Sequence, residues 1–315
     1  MTDLRLPPQF IERLEQIIPE QYLAAVFAAL NTGPATTFRA QRSRVDTGAM
    51  LKQLIVDGLE VASLDWLNEI YFVPAAQRRA LTEHPLFTDG SIYIQNPSSY
   101  MPILALEPQP GEEIMDMCAA PGGKTLAIVD AMDNRGRVAA VEAVRGRFFK
   151  LKHLMQTYGA EIVQCYHADA RNLWRKVPER FDRILLDAPC SSESRIRANN
   201  PDSWKYWSLK KNREMSRKQR SLIRSAFDCL KPGGVLVYCT CTYAPEENEL
   251  IVQSLLERFG DNAVIDAVDL PCPNQMAGLT AWQGKVLYPD LAKAVRILPD
   301  AVQDAFFLCR ISKQF

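Results

Sequence analysis

Two short cysteine-containing segments carry the side chains most suited to chemistry in this 315-residue sequence. One is Asp187-Ala188-Pro189-Cys190, in which a carboxylate precedes a thiol, and the other is Thr240-Cys241-Thr242. Upstream of both, the segment 118–125 (Cys-Ala-Ala-Pro-Gly-Gly-Lys-Thr) has the small residues of a ligand-binding turn. A thiolate is a strong nucleophile when its surroundings lower its pKa. These residues suit an enzyme whose cysteine sulfur attacks an electron-poor ring such as a pyrimidine.

A structural role is the alternative for each cysteine, because free cysteine is often a small buried hydrophobe. Neither Cys190 nor Cys241 would indicate catalysis alone. Two thiols at strand ends on one edge of a sheet, one of them beside Asp187, favour the chemical interpretation. We assign a structural role to the side chains of the other six cysteines, which are Cys118, Cys165, Cys229, Cys239, Cys272 and Cys309. No Cys-x-x-Cys pair occurs, so we expect no metal site.

Strands and helices that could position these residues alternate from about residue 111 onward. Predicted strands are Glu113–Cys118, Arg137–Glu142, Glu161–His167, Arg183–Leu186 and Val235–Thr240, with a last one at Ala305–Arg310. Predicted helices are Gly123–Ala131, Arg145–Tyr158, Ser216–Leu230 and Glu246–Phe259. Short apolar strands separated by helices indicate an α/β fold with a mostly parallel sheet covered on both faces.

The first hundred residues have a different pattern. Apolar spacing predicts a helix from about residue 10 to 18 and another over Glu20–Leu30. A short strand at Thr37–Ala40 and a helix near Thr47–Asp57 follow. We therefore predict a small α+β accessory domain over residues 1–95 and a catalytic domain over residues 96–315.

The turn at 116–125, which we call the cofactor turn, follows the first strand of the predicted sheet and opens a helix. Its glycines let the backbone approach a ligand at the carboxyl edge of the sheet. A phosphate-binding P-loop would need glycine at position 118, where the sequence has Cys118. The pattern is not Gly-x-Gly-x-x-Gly either, which disfavours a nicotinamide cofactor.

Two acidic residues end successive strands. Glu142 could accept both ribose hydroxyls of a nucleoside cofactor, or it could be the carboxylate at a helix start. Asp169 could face an adenine edge, or it could cap a helix. Together they favour an adenosine-bearing cofactor, and S-adenosyl-L-methionine fits because no phosphate-specific loop is needed.

Composition and charge narrow the class of protein. Hydrophobic residues at 47% and charged residues at 23% are typical of a globular protein, and no apolar run is long enough to span a membrane. The sequence begins without the pattern of a signal peptide, so we expect a cytoplasmic protein with reduced cysteines.

The segment Arg195–Arg224 has ten basic and two acidic residues and includes Trp204, Tyr206 and Trp207. That mixture suits a nucleic acid, although a solvated helix face is the alternative.

Four ordered motifs resemble those of the Sun/nucleolar-protein (Fmu-like) family of RNA (cytosine-5) methyltransferases, over roughly residues 85–313. The motifs are Asp-Met-Cys-Ala-Ala-Pro-Gly-Gly-Lys-Thr (116–125), Asp-Ala-Pro-Cys-Ser (187–191), Leu-Lys-Pro-Gly-Gly (230–234) and Tyr-Cys-Thr-Cys-Thr-Tyr-Ala-Pro-Glu-Glu-Asn-Glu (238–249). The resemblance implies a Rossmann-like class I methyltransferase core, with a seven-stranded, mostly parallel sheet whose last strand is antiparallel. The N-terminal part is similar in layout to that family's small accessory domain, which would face RNA.

The resemblance also implies roles for individual residues. Cys241 would add to carbon 6 of cytosine, Asp187 would hydrogen-bond the base, Cys190 would assist release, and Lys124 would act at the same site. S-adenosyl-L-methionine would be bound by Cys118, Ala119, Ala120, Pro121, Gly122, Gly123, Lys124, Glu142, Asp169 and Asp187. The expected partner is structured RNA, either transfer or ribosomal RNA, bound by a monomer that needs no obligate protein partner.

One departure from the family pattern concerns Ser192-Glu193-Ser194, where many members have glycine at one or more positions. This loop would shape a different RNA pocket. Two alternative functions stay open: a methyltransferase for DNA or protein, and a non-catalytic RNA-binding or assembly protein that retains the fold. The intact set of Asp187, Cys190 and Cys241 favours catalysis.

Overall fold

A computed structural model describes residues 6–42 and 44–315. Its helices are α1 (Pro8–Ile17), α2 (Glu20–Thr32), α3 (Thr47–Val56), α4 (Arg78–Glu83), α5 (Pro85–Thr88), α6 (Pro97–Leu106), α7 (Gly123–Ala131), α8 (Arg145–Thr157), α9 (Leu209–Cys229) and α10 (Glu249–Phe259). Its strands are β1 (Thr36–Ala40), β2 (Ala62–Leu64), β3 (Leu67–Val73), β4 (Ile92–Ile94), β5 (Glu113–Asp116), β6 (Arg137–Glu142), β7 (Val163–His167), β8 (Phe181–Asp187), β9 (Leu230–Thr240), β10 (Ala263–Asp266), β11 (Gln275–Ala277), β12 (Ala281–Trp282), β13 (Lys285–Val286), β14 (Val295–Ile297) and β15 (Phe306–Lys313).

Five parallel strands form one half of the main sheet, in the order β7-β6-β5-β8-β9. The register places Asp116 beside Leu185 and Asp187 beside Cys239, so β5, β8 and β9 end at the same edge. The carboxyl ends of parallel strands are where open α/β sheets bind ligands. The topology thus brings the cofactor turn and both thiol-bearing loops to one place, as the sequence predicts.

Antiparallel strands complete the main sheet. β15 pairs antiparallel with β9, which confirms the expected orientation of the last strand, and β14 and β11 follow beyond it. β10 pairs with β15 as well, so the described residues form a nine-stranded sheet where seven strands were expected. The additional short strands lie between residues 263 and 297 and contain only three or four residues each. Such short strands show too little alternation to be recognised from sequence.

The boundaries of two helices differ from the prediction. α9 begins at Leu209 and not at Ser216, because the Ser208 side chain caps it by accepting a hydrogen bond from the Lys211 amide. The first turns of α9 are strongly basic, which concealed the helical pattern. α10 begins at Glu249, after a turn in which Glu247 is buried.

A second, four-stranded antiparallel sheet of order β2-β3-β1-β4 lies in the N-terminal part. It has its own core, which is formed by Phe38, Ala40, Met50, Leu54, Leu59, Val73, Leu81 and Ile92. Helices α1 and α2 do not join that core. Phe10 of α1 packs edge-on against Trp207 at 5.4 Å and against Tyr243 at 6.2 Å between ring centroids, within the core around the main sheet.

A buried ion pair joins the N-terminal sheet to the helix that follows the cofactor turn. Arg39 of β1 is 2% exposed and pairs with Asp130 of α7. Its Nε donates to Gln95 Oε1 at 2.8 Å, and Gln41 Nε2 donates to Asp130 Oδ1 at 2.5 Å. Removing one partner of a buried pair leaves an uncompensated charge, which is strongly destabilising. The N-terminal sheet therefore fixes the far end of α7.

Candidate active site

A cavity of about 630 Å³ opens at the carboxyl edge of the parallel strands. Its size lies in the range typical of small-molecule and cofactor sites. Nine of the residues that the sequence singles out line it: Cys118, Ala119, Ala120, Pro121, Gly123, Lys124, Asp187, Cys190 and Cys241. One cavity thus receives the cofactor turn, the carboxylate and both thiols.

The two thiols are in direct contact. Cys190 Sγ and Cys241 Sγ lie 3.3 Å apart, and both side chains are half-buried. A hydrogen bond from Cys190 lowers the pKa of Cys241 to about 7, with Arg195 and Ser192 acting in the same direction. The same contact raises the pKa of Cys190, which burial raises further. Near neutral pH the proton therefore stays on Cys190, and Cys241 is the better nucleophile of the two.

Lys124 and Asp187 form an ion pair beside the thiols. Lys124 Nζ donates to Asp187 Oδ2 at 2.7 Å and lies 5.2 Å from the ring centroid of Phe306. Burial acts to lower the pKa of Lys124, but the nearby Asp187 carboxylate outweighs it and raises that pKa. The ammonium therefore stays charged and helps orient the carboxylate. The other oxygen, Oδ1, lies 3.8 Å from the buried thiol of Cys239.

Two glycines shape the cofactor turn. Gly122 has φ of +122°, which side chains rarely adopt, and a Cβ there would lie 2.8 Å from Leu154 and Met155. A Cβ on Gly123 would lie 2.6 Å from the Tyr93 ring. The turn is consequently packed between α8 and the N-terminal sheet.

Asp116 is a site residue that the sequence prediction missed. It ends β5, is buried, and lines the cavity. Thr125 Oγ1 donates to its Oδ2 at 2.6 Å, whereas Oδ1 has no hydrogen-bond partner in the described structure. Burial raises the pKa of Asp116 to about 7. An unpaired buried carboxylate oxygen fits a ligand that brings a positive charge or a hydrogen-bond donor.

Gly122, Glu142 and Asp169 do not line the cavity. Glu142 accepts a hydrogen bond from the Val144 amide at 2.7 Å and lies 3.6 Å from Arg147. Asp169 caps the short helix over residues 170–175 and pairs with Arg171. Both acids thus have the local roles that are the alternatives to cofactor binding, and their binding of a cofactor stays a prediction.

Glu193 connects the two thiol-bearing loops, and sequence reasoning assigned it no role. It is 2% exposed, and its carboxylate accepts hydrogen bonds from four groups. The donors are Trp207 Nε1 at 2.8 Å, Asn212 Nδ2 at 2.8 Å, Thr242 Oγ1 at 2.8 Å and the Tyr243 amide at 3.0 Å. The loop after Cys190 is therefore tied to the segment after Cys241. The departure at residues 192–194 was the available signal.

The three aromatic residues of the basic segment lie outside the cavity lining. Trp207 bonds Glu193, Trp204 is partly buried against the core, and Tyr206 is 82% exposed. Among the described residues, no group of acidic, histidine or cysteine side chains is arranged to hold a metal ion. None of the described helices has the length and apolar character needed to cross a membrane.

Comparisons with known proteins extend over both parts of the chain. A model of the 16S rRNA methyltransferase RsmB/F family matches residues 103–312, and a model of the N-terminal domain of 16S rRNA methyltransferase RsmF matches residues 6–97. The ribosomal RNA small subunit methyltransferase F of Aeromonas salmonicida is 31% identical over 317 residues, covering 98% of this chain and 64% of that protein. The Escherichia coli SE11 protein of the same name is 35% identical over 263 residues, covering 81% and 54%. The chain thus spans between about half and two thirds of these relatives.

Solved structures share the fold. A methyltransferase homologue from Pyrococcus horikoshii is 28% identical with a TM-score of 0.78, covering 98% of this chain and 100% of that one. NSun6 from Pyrococcus horikoshii, solved with SFG, is 21% identical with a TM-score of 0.81 over 98% and 99% of the two chains. These similarities confirm the class I methyltransferase fold. Because the family model includes the cofactor turn and both thiol-bearing loops, the chain belongs to the 16S rRNA methyltransferase RsmB/F family.

Proposed function

We propose that this chain transfers a methyl group from S-adenosyl-L-methionine to carbon 5 of a cytosine in small-subunit ribosomal RNA. The observation that carries the proposal is the contact of Cys190 with Cys241 in a cavity that also contains the Lys124–Asp187 pair. The family and the named relatives support ribosomal RNA as substrate over transfer RNA. Such an enzyme would work in the cytoplasm.

The residues around the cavity fit the cofactor. Asp116 offers an unpaired oxygen to the positively charged amino group, and residues 118–121 and Gly123 line the cavity where the ligand would lie. Glu142 would bind the ribose hydroxyls by exchanging its bond to the Val144 amide, and Asp169 would contact the adenine edge. When bound, S-adenosyl-L-methionine supplies an electrophilic methyl group.

The protein side chains would divide the remaining work. The Cys241 thiolate forms a bond to carbon 6 of cytosine, which makes carbon 5 nucleophilic. The negative charge that addition places on the base is neutralised when the ring nitrogen takes up a proton from solvent. The Asp187 carboxylate, oriented by Lys124, accepts hydrogen bonds from this protonated nitrogen and from the exocyclic amine and stabilises the protonated adduct. After carbon 5 is methylated, a water molecule takes its proton, the C5–H electron pair re-forms the double bond between carbons 5 and 6, and the bond from carbon 6 to sulfur breaks, so that Cys241 leaves as a thiolate. Cys190, which holds its proton at neutral pH, assists this release by donating a hydrogen bond to the departing sulfur, and the proton on the ring nitrogen returns to solvent.

The remaining surface supports an RNA substrate. Helix α9 exposes Lys210, Arg213, Arg217, Lys218 and Arg220, which form a basic face suited to phosphates. We propose that residues 1–95 form an accessory domain that faces the RNA, that residues 96–315 form the catalytic domain, and that the protein acts as a monomer.

Labelled methyl transfer from S-adenosyl-L-methionine into RNA, DNA and protein, each supplied separately, tests the proposal. We expect label in small-subunit ribosomal RNA only, located at carbon 5 of cytosine, and none with Cys241→Ala. Label in DNA or protein would support the alternative methyltransferase. Cofactor titration distinguishes the remaining alternative, since a protein that binds RNA but no S-adenosyl-L-methionine would be a non-catalytic member of the family.

A further inference from the structure

The cavity contains one cationic side chain that makes no pair with any residue that the structure describes. Among the described residues, three cationic side chains line it: Lys124, Arg147 and Arg195. Lys124 is paired with Asp187, and Arg147 donates to the Ala120 carbonyl and lies near Glu142. The guanidinium of Arg195 is exposed and has neither a hydrogen bond nor an ion pair within the described part of the chain. It is the cation left available to a ligand.

The backbone fixes the position of Arg195 relative to the thiols. Ser192 has φ of +59°, which turns the chain sharply after Cys190, and the Arg195 amide donates to the Ser192 carbonyl at 3.0 Å. The Ser194 amide donates to the Cys241 carbonyl at 3.1 Å. The carboxylate of Glu193 points inward to its four donors, so Arg195 is held on the cavity side of a rigid turn.

The charge of Arg195 reaches the reacting sulfur. It contributes to the lowered pKa of Cys241, and it acts in the same sense on the pKa of Asp304, which also lines the cavity. The neighbouring Arg197 is different, because it is bound to Asp304 and to the carbonyls of Ser194 and Ile196. A guanidinium in this position has the geometry and charge for a phosphate.

We propose that Arg195 binds a phosphate of the RNA strand beside the target cytosine and so holds the extruded base against Cys241. The inference rests on the proposed function. It assigns Arg195 to substrate binding and adds no step to the chemistry. Because a base must leave its stack to reach the cavity, a fixed phosphate contact next to the thiols would offset part of the cost of unstacking.

The test compares Arg195→Gln, Arg195→Lys and a control, Arg137→Gln, which removes an exposed arginine at the start of β6, at the opposite end of the parallel strands from the cavity. RNA binding is measured against salt with a small-subunit ribosomal RNA transcript, and methyl transfer is measured against RNA concentration. For Arg195→Gln we expect a salt dependence of log K shallower by about 0.7–0.9 and weaker binding. The KM for RNA should rise about tenfold, with a smaller change in kcat. Arg195→Lys should retain most of the salt slope, and Arg137→Gln should match the wild type.

The outcomes separate the inference from the proposed function. An Arg195→Gln protein with unchanged slope and KM overturns the inference, whatever the enzyme methylates. A wild-type protein that transfers no methyl group to RNA, but whose salt slope depends on Arg195, overturns the proposed function and retains the phosphate contact. Unchanged urea midpoints would show that the exposed substitution has not altered the fold.

Discussion

The sulfur atoms of Cys190 and Cys241 lie 3.3 Å apart, although the two residues belong to loops after different strands. The Cys190 thiol can therefore donate a hydrogen bond to the Cys241 thiolate, which gives the two residues different roles at neutral pH. Parallel pairing of β8 with β9 is what brings them together. Because this contact depends on the positions of both loops, a change in either loop can separate the two sulfur atoms.

Removing each thiol should have opposite effects on covalently bound RNA. Cys241→Ala should abolish methyl transfer without unfolding the protein, because the side chain lies at a cavity wall. Cys190→Ala should accumulate an RNA–protein adduct, since release would be slowed. Denaturing gels of protein expressed in cells would show the adduct, and sequencing the attached RNA would identify the cytosine.

The double variant Cys190→Ala/Cys241→Ala is the control for that experiment and should form no adduct. Normal turnover by Cys241→Ala would contradict the assignment of the nucleophile. An adduct that persists in the double variant would place the covalent bond on another residue.

Alkylation of Cys241 should depend on pH with a midpoint near 7. Its lowered pKa means that the reactive thiolate is present above this pH and is lost as pH falls below it. Cys190→Ala removes the hydrogen bond that is the main cause of the lowered pKa, so the midpoint should move upward. Mass spectrometry of the Cys241 peptide after brief iodoacetamide treatment would measure both profiles. Identical midpoints would show that Cys190 does not stabilise the thiolate.

Glu193→Ala should destabilise the protein and reduce activity together. It leaves four donors without their acceptor, and each unsatisfied buried group costs about 1–3 kcal/mol. We expect a loss of at least about 3 kcal/mol in the free energy of unfolding, measured with urea. Glu193→Gln retains an oxygen for Trp207 and Asn212 but cannot accept from the Tyr243 amide on its other side. It should therefore fall between the wild type and Glu193→Ala, and equal stability of all three would contradict this role.

Asp116→Asn should stabilise the ligand-free protein at high pH and weaken cofactor binding. Burial raises the folded-state pKa of Asp116 above its unfolded value of 3.8 to about 7, so the folded form binds the proton more tightly. Stability from this group is therefore present at acidic pH and is lost as pH rises through about 7. At pH 8 the free energy of unfolding of the variant should exceed that of the wild type by up to about 4 kcal/mol, and at pH 4 the two should differ little.

Urea unfolding at the two pH values, together with calorimetric titration of S-adenosyl-L-methionine, would measure both effects of Asp116→Asn. Unchanged affinity would mean that the unpaired oxygen does not contact the cofactor. Thr125→Val offers a comparison, since it removes the hydrogen bond to Oδ2 and leaves the carboxylate in place.

Binding of RNA should weaken steeply with salt, in part because of α9. Arg213, Arg217 and Arg220 are exposed on this helix without an ion pair to another described residue. Replacing all three by glutamine should make the salt slope shallower by about 0.7–0.9 for each phosphate that the helix no longer neutralises. A filter-binding series between about 50 and 200 mM salt would measure it. An unchanged slope would place the RNA elsewhere.

The sequence predicted the elements whose patterns are local. The helix Gly123–Ala131 and the strand Arg137–Glu142 have the predicted bounds, because a glycine-rich turn and a short apolar run delimit them. The position of the cofactor turn and both thiol-bearing loops at one edge of the sheet was also predictable, since parallel topology brings the carboxyl ends of the strands together. The start of α9 did not follow, because its first turns are basic and its cap is a single serine.

The parts of the site that depend on tertiary contacts were not predictable. Glu193 was visible only as a departure from a family pattern, and its four partners come from distant segments of the chain. Asp116 was part of a recognised motif, but its unpaired oxygen is a consequence of packing. The positions of Glu142 and Asp169 outside the cavity lining likewise depend on side-chain directions that periodicity does not give.

The ion pair between Arg39 and Asp130 limits how this protein can be recombined with its relatives. Replacing the N-terminal sheet by one without an arginine at the position of Arg39 would leave a largely buried carboxylate unpaired on α7, the helix whose first turn carries Lys124. A functional chimera should therefore require that the transferred sheet carry an arginine able to pair with Asp130. The compatibility of two parents would thus depend on a pair of positions that lie 91 residues apart in the sequence.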